Sequence, residues 1–71
     1  MTDEQRLQRR KRILVNVCNL SRPGALTRLN VMSIQEEITD LVFSPVEEDI
    51  SAGLAAQRLL TDRLMTAMCR V

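Results

Sequence analysis

Between residues 6 and 12 the chain reads RLQRRKR, five cations in seven residues, and Arg22 and Arg28 prolong the basic character. Cationic side chains at this density are the chemistry of phosphate binding: they neutralise a nucleic-acid backbone and release its counterions, with weak sequence preference. Arg6, Arg9, Arg10, Lys11, Arg12, Arg22 and Arg28 are therefore the candidate nucleic-acid-binding residues. No aromatic side chain is interleaved among them. Single strands and exposed RNA bases call for stacking partners, so DNA is the favoured nucleic acid. The same run also reads as a solvated helix face whose arginine stems lie over apolar surface.

Other chemistries have less to work with. The chain has no histidine, the commonest acid–base group near neutral pH, and Cys18 has no base near it in the sequence. Its two glycines, Gly24 and Gly53, do not form a phosphate-cradling loop. Without histidine or a CxxC pair a zinc site has no ligand set. The expectation is a protein that is not an enzyme and needs no metal, cofactor or small-molecule substrate.

No charged-then-apolar leader segment is visible, so Cys18 and Cys69 are read as reduced thiols and the location as cytoplasmic. The longest apolar run, AGLAA, falls far short of the ~20 residues that span a bilayer.

To position these groups the chain has 71 residues, read as one small helical domain over 1–71, with 1–12 a basic helical N-terminal extension. A chain of this length buries only about 60% of the surface it exposes unfolded, so oligomerisation would help it. Leu, Ile, Val, Met and Ala dominate the 45% hydrophobic fraction, and Phe43 is the one aromatic residue, a composition that favours helices.

The net charge of +1 hides a segregated pattern. Residues 1–28 carry seven basic and two acidic groups, residues 29–50 carry six acids and no base, and residues 51–71 carry three bases and one acid. A basic arm thus precedes an acidic middle.

Four stretches have a readable local structure. Ile13, Leu14, Val17, Cys18 and Leu20 recur at helical spacing, with Leu7 one step back, and Asp3 and Glu4 suit a first turn near residue 3. SRPG ends that helix, because Pro23 disfavours helix at Arg22 and Gly24 permits a left-handed turn. ALTRLNVMS reads as an extended connector with room for one short strand. Ser33 and Glu36 have capping-box spacing, and Ile34, Ile38, Leu41 and Val42 form one stripe, so a helix is expected over about 34–42.

The stretch SPVEEDISAG repeats the device, with Ser44 as cap, Pro45 at the first helical position and Glu47 at the third. Glu47, Glu48 and Asp49 then lie in a first turn, where the helix dipole favours acids. Val46, Ile50, Gly53, Leu54, Leu60, Leu64 and Met68 share one arc, so this helix is expected from 45 to about 69, with Thr61-Asp62 as a competing break. Gly53 inside the stripe points to the close approach of another helix backbone.

The order of long helix, PG turn, short extended piece, short helix, tight turn and capped helix resembles the core of helix-turn-helix and winged-helix proteins, including small phage and prophage proteins. ILVNVCNLSRPG, LNV, SIQEEITDL and SPVEEDISAGLAAQRLL carry the resemblance, over about residues 12–60. It implies an all-α fold of three to four helices with a helix-turn-helix-like core. TDRLMTAMCRV has no turn residues and no period-two alternation, so the wing is expected to be absent. The segment matching the recognition helix offers Glu48 and Asp49 where base-reading side chains are usually polar or basic.

Two functions follow as expectations. One is a small phage or mobile-element regulatory or accessory protein, acting in transcription regulation by binding DNA through its basic N-terminal helix. The other is a helical protein-interaction module, a homodimer or an adaptor or inhibitor docked on a larger protein, with Leu54, Leu60, Leu64, Met65 and Met68 as its surface.

Overall fold

The computed structural model describes residues 2–69. Three helices fill them: α1 over Asp3–Asn19, α2 over Arg28–Val42 and α3 over Glu47–Cys69. No strand occurs among the described residues. The fold is therefore all-α.

α1 starts on a capping box. The Thr2 hydroxyl accepts the Gln5 backbone N–H (3.2 Å) while the Gln5 side chain accepts that of Thr2 (2.9 Å), so each satisfies a donor left free at a helix start. After Asn19 the chain leaves the helix through successive turns, and Gly24 takes a positive φ of 76°, a conformation that a Cβ penalises.

The stretch expected to be an extended connector, residues 25–33, is helical from Arg28 onward. α2 begins at Arg28, capped by Thr27, whose hydroxyl accepts the Asn30 N–H (3.2 Å). The Asn30 amide also donates to the Ala25 carbonyl (2.7 Å), tying the first turn to the preceding loop. Ser33 thus lies inside a helix already under way and caps nothing. A capping pattern is local, and whether the residues before it are already helical decides if it is used.

α3 runs without a break through Thr61 and Asp62. Its start differs from the expected box by two residues and in partner. The Ser44 hydroxyl accepts the Val46 N–H (3.2 Å) and donates to the carboxylate of Asp49 (2.9 Å), so it bonds with residue 49 rather than Glu47.

The helices alternate in direction. Val42 packs on Gly53 and Gln35 bonds to Gln57, so α2 and α3 are antiparallel; Arg9 meets Asp40 and Arg12 meets Glu37, so α1 and α2 are too. All three lie within 42 × 16 × 15 Å. The core is Ile13, Val17 and Leu20 from α1 and its end, Ile34, Ile38 and Leu41 from α2, and Ala56 and Leu60 from α3. The expected α2 stripe is in place. On α1 the stripe is narrower than expected, for Leu7 and Cys18 are exposed.

Gly53 makes the close α2–α3 approach possible. A Cβ there would lie 3.0 Å from Leu41 Cβ, Val42 Cγ2 and the Val42 backbone nitrogen. Alanine is better than glycine in a helix by about 1 kcal/mol, but overpacking against backbone costs about 1–3 kcal/mol. Gly53→Ala should therefore lower stability by about 1 kcal/mol in urea unfolding; a gain would mean that the helices separate at no cost.

Candidate functional site

On α1, residues 6, 10, 13, 17 and 20 follow one another at spacings of four and three, so they form a single line down the helix. Its lower part, Ile13, Val17 and Leu20, is core; its upper part is Arg6 and Arg10. On α3 the line Asp49, Gly53, Ala56 and Leu60 is wholly buried and likewise has its charge at the N-terminal end. The two lines lie side by side, and their charged ends meet.

Asp49 is 1% exposed. Its Oδ1 accepts from Arg10 Nη1 at 2.7 Å and its Oδ2 from Arg6 Nη1 at 3.3 Å and from the Ser44 hydroxyl at 2.9 Å. Burial alone raises this carboxyl. The Ser44 hydrogen bond, the hydrogen bond and charge of Arg10 and the Arg6 hydrogen bond together outweigh burial and hold it below the ordinary carboxylate value. Arg6 and Arg10 are each about a quarter exposed or less, with their guanidiniums turned inward.

The rest of the basic run has acidic neighbours in the same chain. Arg9 lies 3.5 Å from Asp40 and Arg12 lies 3.8 Å from Glu37, both across the α1–α2 seam. Lys11, Arg22 and Arg28 are exposed and enter no ion pair among the described residues. Four of the seven candidate phosphate-binding residues thus have acidic partners in the middle segment, Arg6 and Arg10 on the buried Asp49 and Arg9 and Arg12 in longer pairs at the surface.

The candidate interaction residues divide between two faces of α3. Leu60 is fully buried and Leu64 packs half-buried against the core, whereas Leu54, Met65 and Met68 stand 58%, 58% and 74% exposed. The single arc expected from the sequence is two stripes, one inward and one outward. α2 adds an outer row that sequence reading missed: Leu29, Met32 and Phe43, at 80%, 52% and 82% exposure. A helix begun at Arg28 places these three opposite Ile34, Ile38 and Leu41, so a signal existed once the helix start was known.

Among the described residues, Leu7, Val15 and Leu26 complete a set of nine exposed large apolar side chains, beside a core of eight buried apolar residues and six partly buried ones packed against it. Gln35 and Val42 of α2 meet α3 at Gln57 and Gly53, and Leu54 follows Gly53 on the outer side of α3. The Gln35 amide donating to Gln57 (2.7 Å) sits on this α2–α3 seam.

Cys18 and Cys69 are both unbridged and exposed. Among the described residues no cluster of His, Cys, Asp or Glu is placed to hold a metal, and no helix is long and apolar enough to cross a membrane. Comparison with protein-family models, curated proteins and solved structures finds no match for this chain.

Proposed function

We propose that the protein is a helical interaction module that docks on another protein surface through the outer face of α2 and α3. The observation carrying this reading is the distribution of apolar side chains: of the nine large ones exposed among the described residues, six, Leu29, Met32, Phe43, Leu54, Met65 and Met68, belong to α2 and α3 or the residue just after α2. Isolated exposed apolar residues are ordinary, but an ordered set along two adjacent helices marks a binding surface. Methionines suit such a surface because their flexible thioethers adapt to a partner.

The bundle geometry supports the same reading. α2, with 15 residues, is about 22 Å long, more than either short dimension of the bundle, 16 and 15 Å. This favours a course along α3 over the ~90–120° crossing of a helix-turn-helix unit. The first turn of α3, where that unit would meet DNA bases, carries exposed Glu47 and Glu48 and the buried Asp49.

Nucleic-acid binding is the second reading, and the exposed Lys11, Arg22 and Arg28 favour it. One pair of variants separates the two. Leu54→Asp combined with Met65→Asp should abolish retention of a protein partner, the chain itself included, with unchanged helicity. Lys11→Glu combined with Arg28→Glu should leave that retention intact. Loss of salt-sensitive duplex binding in the second variant, with no protein association in the wild type, would overturn the interaction reading in favour of DNA.

A further inference from the structure

The outer strip of α3 is complementary to itself. Leu54, Arg58, Thr61, Met65 and Met68 succeed one another at spacings of three and four, so they form one exposed line on the side away from Gly53, Ala56 and Leu60. Asp62 lies beside this line, one turn beyond Arg58. No ion pair joins Arg58 to Asp62 within the chain, and the order cation before acid is the less favourable one for such a pair along a helix. Each is an exposed charge on the rim of an apolar strip.

Resting on the interaction reading above, we propose that the occupant of this face is a second copy of the chain, its α3 packed antiparallel on the first about a two-fold axis near residue 60. A two-fold contact is isologous: if position i meets position j, then j meets i. With the axis near residue 60, Arg58 of each copy faces Asp62 of the other, and Leu54 of each faces Met65 of the other. One register therefore places both apolar residues against apolar partners and both charges against opposite charges. Met68 then falls beside Ser51, near the start of the opposing helix.

The chain has surface enough for such a contact. A stable interface takes roughly 800 Å² from each partner, about 15% of this chain's 5287 Å². Leu54, Met65 and Met68 supply roughly 100 Å² apiece of its apolar centre, and the flanking polar side chains of α3 add to it. Dimerisation would also cover apolar surface that a bundle of this size cannot bury within itself.

Sedimentation velocity from low micromolar to near-millimolar protein tests the pairing. The wild-type chain should pass from monomer to dimer across that range. Met65→Asp should weaken the dimer at least tenfold without lowering helicity or melting temperature, and Leu54→Asp is the second variant should Met65→Asp unfold. Arg58→Asp alone should weaken it several-fold, whereas the exchange Arg58→Asp with Asp62→Arg should restore wild-type affinity, because an antiparallel two-fold re-forms both pairs. Failure of the exchange to restore the dimer overturns the proposed register. A wild-type chain that stays monomeric overturns the second copy as occupant. In that case, capture of a different protein that Leu54→Asp with Met65→Asp abolishes would leave the interaction reading standing, and absence of any capture would remove both.

Discussion

Asp49→Ala should lower the unfolding free energy by about 3 kcal/mol. Truncating one member of a buried ion network costs about 3–5 kcal/mol because the remaining charges lose their partner. The low end applies here, since the Arg6 and Arg10 side chains keep 26% and 18% of their exposure and can turn toward water. The loss is large for a chain whose whole stability is on the order of 5 kcal/mol. Urea unfolding measures it, and a shift under about 1 kcal/mol would mean that the Asp49 network contributes little net stability.

The same carboxylate sets an acid limit. The fold holds Asp49 below its ordinary value, so the unfolded chain takes up the proton first as pH falls. Its contribution is therefore complete above the unfolded value of about 3.9 and drains away as pH drops through the lower folded value. Stability measured between neutral pH and pH 3 should fall less steeply in Asp49→Asn than in the wild type; equal slopes would place the acid sensitivity at other carboxylates.

Leu60→Ala and Leu54→Ala, six residues apart on one helix, should behave oppositely. Leu60 is fully buried among Ile13, Ile38 and Leu41, and its truncation leaves a cavity costing about 2–5 kcal/mol. Leu54 is 58% exposed, and its truncation should change the stability of the monomer by less than about 0.5 kcal/mol. Melting of dilute protein, where association is absent, makes the comparison. A similar cost at both positions would mean that the outer face of α3 is part of the monomer's core.

Sequence periodicity served well where a helix face is uniformly apolar. Ile34, Ile38 and Leu41 were legible as core because all three share one stripe and all three are buried. Gly53 was legible for a related reason: a glycine inside a helical stripe costs stability unless something needs the space, and Val42 of α2 occupies it. Periodicity failed at α3, where apolar residues line both faces and a linear reading merged them into one arc. It failed again at residues 25–33, where Ser33 and Glu36 imitate a helix start that Thr27 in fact provides. Thr2 and Gln5 carry the same capping spacing at the start of α1 and do use it.

Asp49 was the least legible residue. In the sequence it is one of three consecutive acids, and the dipole of a helix start accounts for all three alike. The fold separates them: Glu47 and Glu48 face water, and Asp49 lies on the line that continues through Gly53, Ala56 and Leu60. Its partners, Arg6 and Arg10, are about forty residues away in the chain.

By itself the sequence determined that the chain is helical, that a tight turn at Gly24 follows the first helix, and that Ile34, Ile38 and Leu41 face inward. These outcomes depend on neighbours within about one helical turn, where spacing, propensity and steric limits act directly. Only the tertiary structure decided that Arg6 and Arg10 turn inward to Asp49, and that Leu60 is core while Leu54, Met65 and Met68 remain outside. Those outcomes depend on which helix faces come together, and a charge or an apolar side chain acquires its role only from what the fold places opposite it.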